Sequence, residues 1–173
     1  VIAEPFAIGL YAVKQSQVFS GAKVAILGAG PNGLSCMAAA RALGAQKVFM
    51  TEIIPERVKL AQKNGADWVG NPHQENIVQS VCKLESGGMD IVYECAGQQD
   101  TLDQAIELLK PGGKLMMVGI QREERVSFCP DQNRRKEITT VNVRSQNPCT
   151  TTAIDMQSAG NVKLDFLVTP ELD

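Results

Sequence analysis

Ten residues near the start of the chain decide its predicted fold: VAILGAGPNG, at positions 24–33. The four apolar residues predict a short buried strand, and the glycines that follow match the pattern G-x-G-x-x-G. Small and apolar residues continue beyond Gly33, which predicts a helix that begins at Pro31. A strand, a glycine-rich turn and a helix in this order are the context in which the pattern indicates phosphate binding.

Short apolar runs alternate with longer mixed stretches along the rest of the chain. They predict strands at 24–27, 48–50, 67–69, 90–93, 115–118 and 138–143, and helices at 4–19, 31–43, 55–64, 74–84, 101–109 and 151–158. The apolar runs are continuous, which is typical of a parallel sheet buried on both faces. Right-handed crossovers then predict a doubly wound α/β sheet of the Rossmann type, with strand order 3-2-1-4-5-6.

The composition excludes several classes of protein. The 173 residues are 44% hydrophobic and carry a net charge of -2, which excludes disordered and collagen-like chains and argues against nucleic-acid binding. No apolar run reaches the roughly 18 residues that a membrane span needs. Five cysteines without a C-x-x-C pair argue against a zinc ribbon or a disulfide framework, and they favour a reduced, cytoplasmic protein.

The chain reads like part of a longer protein. It starts without Met and shows no signal peptide, and its first five residues resemble the interior of a sequence. We therefore expect residues 1–173 to be a single dinucleotide-binding domain, taken from a longer chain.

Each glycine of the pattern has a physical purpose. Gly28 permits the tight turn, Gly30 lets a pyrophosphate approach the backbone, and Gly33 allows the helix to pack closely on the strand. Pro31 stands where a missing N–H costs little, and the first amides of the helix offer donors to phosphate. The alternative interpretation is a glycine-rich turn that binds nothing.

Glu52 ends the second predicted strand, 24 residues after Gly28. A carboxylate at this position accepts hydrogen bonds from the adenosine ribose and repels a 2′-phosphate, so the sequence favours NAD over NADP. Arg57 is near enough in sequence to stack on the adenine or to reach a phosphate. An exposed charge at a strand end is the alternative for Glu52.

Five short stretches, in their order and spacing, resemble the cofactor-binding domain of medium-chain, zinc-dependent dehydrogenases. The resemblance is greatest to the polyol branch, which includes sorbitol, threonine and butanediol dehydrogenases. The stretches are Glu4-Pro5 at the start of a helix and the segments 24–33, 94–97, 109–113 and 118–120. The similarity begins at Glu4 and continues nearly to the end of the chain.

The resemblance implies roles for individual residues. Asn32 would lie beside the pyrophosphate, Glu52 and Arg57 would bind the adenosine, and Asn142 and Val143 would hold the carboxamide. The other implied positions along the cofactor are Cys95, Ala96, Val118, Gly119 and Ile120, the last three lining the nicotinamide pocket. Cys95 follows the fourth strand, near the expected cofactor crevice, and its residue type favours an inert, buried thiol.

The resemblance also implies catalytic residues and a metal. Glu4 matches a glutamate near the catalytic zinc, where a first-turn glutamate favouring the helix dipole is the alternative. Arg144 matches an arginine that faces substrate or cofactor. The zinc ligands of the family belong to an upstream domain, so we expect no metal site here; His73, the one histidine, is expected on the surface. Relatives form dimers through this domain, and residues 126–128 are a candidate edge strand.

The first hypothesis for function is therefore the NAD-binding domain of a zinc-dependent alcohol or polyol dehydrogenase, which acts on a small-molecule alcohol. The fragment alone is expected to be inactive. A zinc-free, NADP-dependent quinone or enone reductase and a non-catalytic dinucleotide-binding module are the alternatives. A short-chain dehydrogenase is excluded because no Tyr-x-x-x-Lys pair is present. A methyltransferase is disfavoured because the first strand lacks an acidic residue.

Overall fold

A six-stranded parallel sheet forms the centre of the computed structural model, which describes residues 2–145 and 148–167. Its strands are β1 Lys23–Leu27, β2 Lys47–Thr51, β3 Trp68–Gly70, β4 Met89–Glu94, β5 Leu109–Met117 and β6 Thr139–Asn142. Their order across the sheet is β3-β2-β1-β4-β5-β6. The predicted doubly wound fold and its strand order are both confirmed.

Seven α-helices and a short 3-10 helix (Asp165–Leu167) connect or flank the strands of the described ranges. The helices are α1 Ala3–Ser16, α2 Pro31–Ala42, α3 Pro55–Lys63, α4 Ile77–Leu84, α5 Gln99–Leu108, α6 Pro130–Lys136 and α7 Thr150–Ser158. The helix predicted to start at residue 74 begins at Ile77 instead, because the Asn76 side chain accepts a hydrogen bond from the Gln79 amide at 3.0 Å and caps the helix.

Helix α6 was not predicted, because none of its residues is buried and it shows no apolar period. Tertiary contacts stabilise it. The Lys136 ammonium at its end donates to the carbonyls of Ile106, Glu107 and Leu109, each at 2.8 Å. These carbonyls belong to the C-terminal turn of α5 and the first residue of β5, so a cation from α6 satisfies the end of another helix.

The two faces of the sheet bury different halves of each strand. In β1, Val24 and Ile26 belong to a core that includes residues of α1, α2 and α7, whereas Ala25 and Leu27 belong to the core under α4 and α5. Alternate residues of a strand point to opposite faces, so a strand buried on both faces must be apolar throughout. This explains the continuous apolar runs in the sequence.

Helix α1 packs across α2 at very short range. A Cβ added to Gly9 would lie 2.6 Å from the backbone nitrogen of Cys36, so only glycine fits at this crossing. The end of α1 is held by the buried hydroxyl pair of Ser16 and Tyr93, 2.7 Å apart, and by Lys114, whose ammonium donates to the Ser16 carbonyl at 3.0 Å. Burial raises the pKa of Tyr93 above its ordinary value, so the phenol stays protonated.

The candidate edge strand at residues 126–128 is wrong. These residues form an irregular segment, and the described sheet ends at β3 on one side and β6 on the other. The Gln99 side chain bonds both backbone groups of Ser127, at 2.8 and 2.9 Å, while Val126 and Phe128 pack toward the core. No helix in the described ranges is long and apolar enough to cross a membrane.

Candidate functional site

The glycine-rich turn between β1 and α2 has the geometry that its sequence predicts. Gly28 has a φ of +104°, which favours glycine. A Cβ on Gly33 would lie 1.9 Å from the Gly28 carbonyl oxygen, so α2 approaches the strand at a distance that excludes any side chain. A Cβ on Gly30 would instead point into open space, with its nearest neighbour, an Arg57 nitrogen, 4.0 Å away.

The first turn of α2 offers free donors beside that open space. Pro31, the first helical residue, is exposed and has no N–H, and no side chain caps the helix. Within the described ranges, the amides of Asn32 and Gly33 donate to no acceptor. Two free amides and the positive end of the helix dipole, next to a glycine with room in front of it, fit a phosphate group.

Glu52 lies directly after β2 and is only 7% exposed. One oxygen, Oε1, accepts from the amides of Ile53 and Ile54, at 2.8 and 3.0 Å. The other, Oε2, accepts from the amide of Ala29 in the glycine turn at 3.0 Å. The carboxylate therefore joins the end of β2 to the turn after β1, and it is a held group rather than a free surface charge.

Arg57 reaches back from α3 toward the same carboxylate. Its guanidinium lies 3.9 Å from Glu52 Oε2, and its side chain is 46% exposed. The distance is too long for a hydrogen bond, so the guanidinium keeps its donors free. Arg57 and Glu52 thus present a cation and an anion side by side, both next to Gly30.

These groups line one cavity of about 580 Å³ at the carboxyl ends of β1, β2 and β4. In an open α/β sheet, ligands bind in this crevice, where the connections leave the sheet in opposite directions. The predicted site residues among its lining are Gly28, Gly30, Glu52, Arg57, Cys95 and Ala96. His73, Thr101, Gln104 and Arg122 also line it, and the sequence analysis gave none of them a role there.

Cys95 lines this cavity but is not an activated thiol. A hydrogen bond with the Cys36 thiol, together with burial, raises the pKa of Cys95 well above its ordinary value. A raised pKa leaves little thiolate at neutral pH, and the thiolate is the reactive form. The structure thus agrees with the inert thiol that the sequence favours.

Glu94, at the same edge of the sheet, belongs to segment 94–97 of the resemblance, but the sequence alone assigned it no role. Glu94 ends β4 and is fully buried. Its Oε1 accepts from the amides of Ala96 and Gly97, at 2.9 and 2.7 Å, and from the Thr101 hydroxyl at 2.8 Å. Its Oε2 accepts from the Gln121 amide nitrogen at 3.0 Å. The available signal was a glutamate at the end of an otherwise continuous apolar strand.

The residues expected around the nicotinamide lie beyond the cavity. Val118 and Gly119 follow β5 and pack against the turn after β4, since a Cβ on Gly119 would lie 2.6 Å from the Gly97 amide nitrogen. Ile120 is 92% exposed. Asn142 ends β6 and is exposed, while Val143 donates its amide to the Met117 carbonyl at 2.9 Å. Ile120 and Asn142 are therefore exposed to solvent at the carboxyl ends of β5 and β6.

Glu4 and Arg144, the two expected catalytic residues, are both exposed. Glu4 is in the first turn of α1. The other end of α1 contacts Tyr93 in β4 and Lys114 in β5. Because the helix has 14 residues, Glu4 lies nearly its whole length of about 21 Å from these contacts. Arg144 follows the exposed end of β6. The structure does not bring either side chain into the cavity.

The described residues fit a dinucleotide and do not fit a zinc ion. The open space before Gly30 and the free amides of α2 suit a pyrophosphate, and the cavity beside them has room for an adenosine. No group of three His, Cys, Asp or Glu side chains in the described ranges is arranged to hold a metal. A zinc ion would therefore need ligands from outside those ranges.

Comparison with known proteins agrees with this geometry. A family described as zinc-binding dehydrogenase matches residues 31–158. Sorbitol dehydrogenase of Bacillus subtilis (strain 168) is 32% identical over 126 residues, which are 72% of this chain and 36% of that protein. (R,R)-butanediol dehydrogenase of the same strain is 30% identical over 171 residues, which are 99% of this chain and 49% of that protein.

A solved structure adds a cofactor to the comparison. It is described as a zinc-binding dehydrogenase from Sinorhizobium meliloti 1021 bound to NADP, and it is 30% identical. It superimposes with a TM-score of 0.89 over 94% of this chain and 49% of its own. The chain thus spans between about a third and a half of the length of the proteins it matches.

Proposed function

We propose that this chain, which belongs to the zinc-binding dehydrogenase family, binds NAD as part of an alcohol or polyol dehydrogenase. The observation that carries the proposal is that the glycine turn and a buried carboxylate meet at one cavity. Gly30 leaves the turn open to a phosphate, and Glu52 is bonded to the same turn through the Ala29 amide. A dinucleotide needs an open turn for its pyrophosphate and a carboxylate for its ribose, and the two lie side by side here.

Each protein group has a distinct part in binding. The amides of Asn32 and Gly33 donate to pyrophosphate oxygens, and the absent side chain of Gly30 lets those oxygens approach. Glu52 has about four acceptor positions, of which the three amides use three. The remaining position, on Oε2, accepts one ribose hydroxyl. The bound nicotinamide supplies the hydride acceptor, and the chain's residues hold and orient it.

The preference for NAD rests on the same carboxylate. A 2′-phosphate at the ribose would bring a second negative group against Glu52, and like charges repel strongly at a buried site. Arg57 is the reason to keep NADP as a second candidate, because its guanidinium has free donors and is 3.9 Å from Glu52. The Sinorhizobium relative that binds NADP supports that candidate. We propose NAD because Glu52 is buried and Arg57 is half exposed.

The remaining roles belong to the same proposal. The names of the relatives support an alcohol or polyol as the substrate of the whole protein. Glu4 and Arg144 are proposed to act on that substrate, and Val118, Gly119 and Ile120 to line the nicotinamide pocket. Asn142 and Val143 are proposed to hold the carboxamide. Assembly through this domain and a cytoplasmic location remain predictions.

Calorimetric titration with NADH and with NADPH tests the proposal. We expect tighter binding of NADH. The variant Gly30→Asp places a carboxylate against the pyrophosphate and should weaken NADH binding at least about 100-fold. Because Gly30 has a φ of −68°, aspartate fits the backbone there, and the loss reports the ligand rather than the fold.

Gly87→Asp is the matched control. Gly87 is exposed and lies before β4, at the opposite end of the sheet from the glycine turn. This variant should bind NADH as the parent does. Unchanged affinity in Gly30→Asp would contradict the phosphate site, and tighter binding of NADPH than of NADH would transfer the ribose role to Arg57.

A further inference from the structure

We infer that Glu94 and Gln121 act as a positioning pair, which sets the loop after β5 against the loop after β4 so that the nicotinamide half of the dinucleotide is held. This inference rests on the proposed function and deepens it. Neither residue is expected to touch the reacting atoms. Their effect passes through the backbone of the two loops that lie on the nicotinamide side of the crevice.

The position of these loops in the sheet is the first step. The glycine turn follows β1 and Glu52 follows β2, and in the proposed function they hold the pyrophosphate and the adenosine. β4 and β5 lie on the other side of β1, so a dinucleotide that crosses the glycine turn reaches their carboxyl ends next. The loops at those ends, residues 95–98 and 119–122, are therefore the surfaces nearest the second half of the molecule.

The two loops touch through their backbones. A Cβ on Gly97, whose φ is +68°, would lie 2.1 Å from the Ile120 carbonyl oxygen, and a Cβ on Gly119 would lie 2.6 Å from the Gly97 nitrogen. The Arg122 amide donates to the Gly97 carbonyl at 3.1 Å. Any shift of one loop must therefore move the other.

The Glu94 side chain is hydrogen-bonded to both loops. Its Oε1 holds the amides of Ala96 and Gly97 in the first loop, and its Oε2 holds the Gln121 side chain in the second. The carboxylate is fully buried, so water does not compete for these donors. In such surroundings, hydrogen bonds to an acceptor-only group have well-defined geometry and are costly to break.

The two ends of the Gln121 carboxamide have different surroundings. Its Oε1 is buried and has no hydrogen-bond partner in the described ranges, while its Nε2 donates to Glu94. Among the described residues, the hydrogen bond to Glu94 is thus the one that fixes the Gln121 side chain, and with it the second loop.

A positioning role and a purely structural role predict different results with two ligands. ADP-ribose carries the adenosine, the pyrophosphate and the second ribose but lacks the nicotinamide. Its affinity depends chiefly on the glycine turn and on Glu52, to which neither Glu94 nor Gln121 is hydrogen-bonded. NADH also needs the loop after β5. Damage to the whole site would weaken both ligands, whereas a shift of that loop weakens NADH alone.

The experiment is titration of the protein and its Gln121→Glu variant with both ligands. The variant is nearly isosteric but turns two carboxyl groups toward each other, and their repulsion moves the loop. We expect NADH affinity to fall at least about tenfold while ADP-ribose affinity changes less than about twofold. The melting temperature of each variant, measured in the same buffer, checks that both are folded.

The exchanged pair provides a rescue. In Glu94→Gln combined with Gln121→Glu, the new glutamine keeps an oxygen for the three donors and turns its nitrogen toward the new carboxylate. We expect NADH affinity to return to within about threefold of the parent value. Rescue separates the contact between the two side chains from the mere presence of either.

Three outcomes would overturn the inference. Equal losses for both ligands would make the pair a structural element, and no loss of NADH affinity in Gln121→Glu would remove its role altogether. Failure of the exchanged pair to recover would show that the contact is not what matters. If the unaltered protein binds neither ligand, the proposed function fails and the inference fails with it.

Discussion

Two buried glutamates occupy equivalent places in the two halves of the sheet. Glu52 lies directly after β2 and Glu94 ends β4, and each accepts two backbone amides from the residues that follow it. They differ in what surrounds the second oxygen. Glu52 Oε2 faces the cavity near Arg57, whereas Glu94 Oε2 is covered and bonded to Gln121.

The difference separates binding from positioning. A carboxylate that opens onto a cavity has an acceptor position left for a ligand, as Glu52 has. A carboxylate that is fully buried can act only on the protein, as Glu94 does. We therefore propose two different roles for the same residue type at the end of a parallel strand, and the exposure of a single oxygen distinguishes them.

The two carboxylates are expected to differ most in how much each stabilises the fold. Glu94→Ala leaves the Ala96 and Gly97 amides and the Gln121 amide nitrogen without their acceptor, whereas the Thr101 hydroxyl keeps the Gln98 carbonyl. We expect the free energy of unfolding to fall by about 3–4 kcal/mol. Glu52→Ala should cost only about 1–2 kcal/mol, because water from the cavity reaches the freed amides. Urea unfolding measures both. Equal losses would show that the two carboxylates are not different in kind.

The two carboxylates are also expected to differ in their effect on cofactor preference. Glu52→Ser removes the charge that opposes a 2′-phosphate, so the ratio of NADH to NADPH affinity should fall about tenfold, or about 1.4 kcal/mol. Glu56→Ser, an exposed glutamate in the first turn of α3, is the control and should leave the ratio unchanged. A ratio that stays constant in Glu52→Ser would exclude this carboxylate as the ribose partner.

The thiol next to Glu94 is expected to show a smaller effect. Cys95 follows Glu94 and lines the cavity that Glu52 faces, and its raised pKa predicts slow alkylation. At pH 7.5 we expect iodoacetamide to modify Cys95 at least about tenfold more slowly than the exposed Cys82. Mass spectrometry of timed samples gives both rates. Comparable rates would mean that the surroundings of Glu94 are open to solvent.

The fold was predictable because its signals are local. Continuous apolar runs, separated by glycines, predict buried parallel strands, and the turn at residues 24–33 identifies the first crossover. Helix α6 was missed because its stability comes from Lys136 and the carbonyls at the end of α5, which no pattern within Pro130–Lys136 reveals. The supposed strand at 126–128 failed for a similar reason: the Gln99 side chain satisfies its backbone instead of a neighbouring strand.

Of the proposed site, only the part assigned to the adenosine could be predicted from the sequence. Gly28, Gly30 and Glu52 carry their meaning in spacing, and the structure brings them together at one cavity. The part played by Glu94 depends on Gln121, which is distant in sequence and reaches it only after β5 has paired with β4. A contact between distant segments leaves no periodic trace in a single sequence.

The place of β1 in the sheet has a consequence for how the chain folds. β1 pairs with β2 on one side and with β4 on the other, and Ala25 meets Val92 across the second pairing. Synthesis at about 5–20 residues per second delivers β4 several seconds after β1. During that interval the first half can already assemble its glycine turn, while one apolar edge of β1 remains uncovered. A newly made chain at this stage is open to pairing with another, and it is the stage at which a chaperone would matter most.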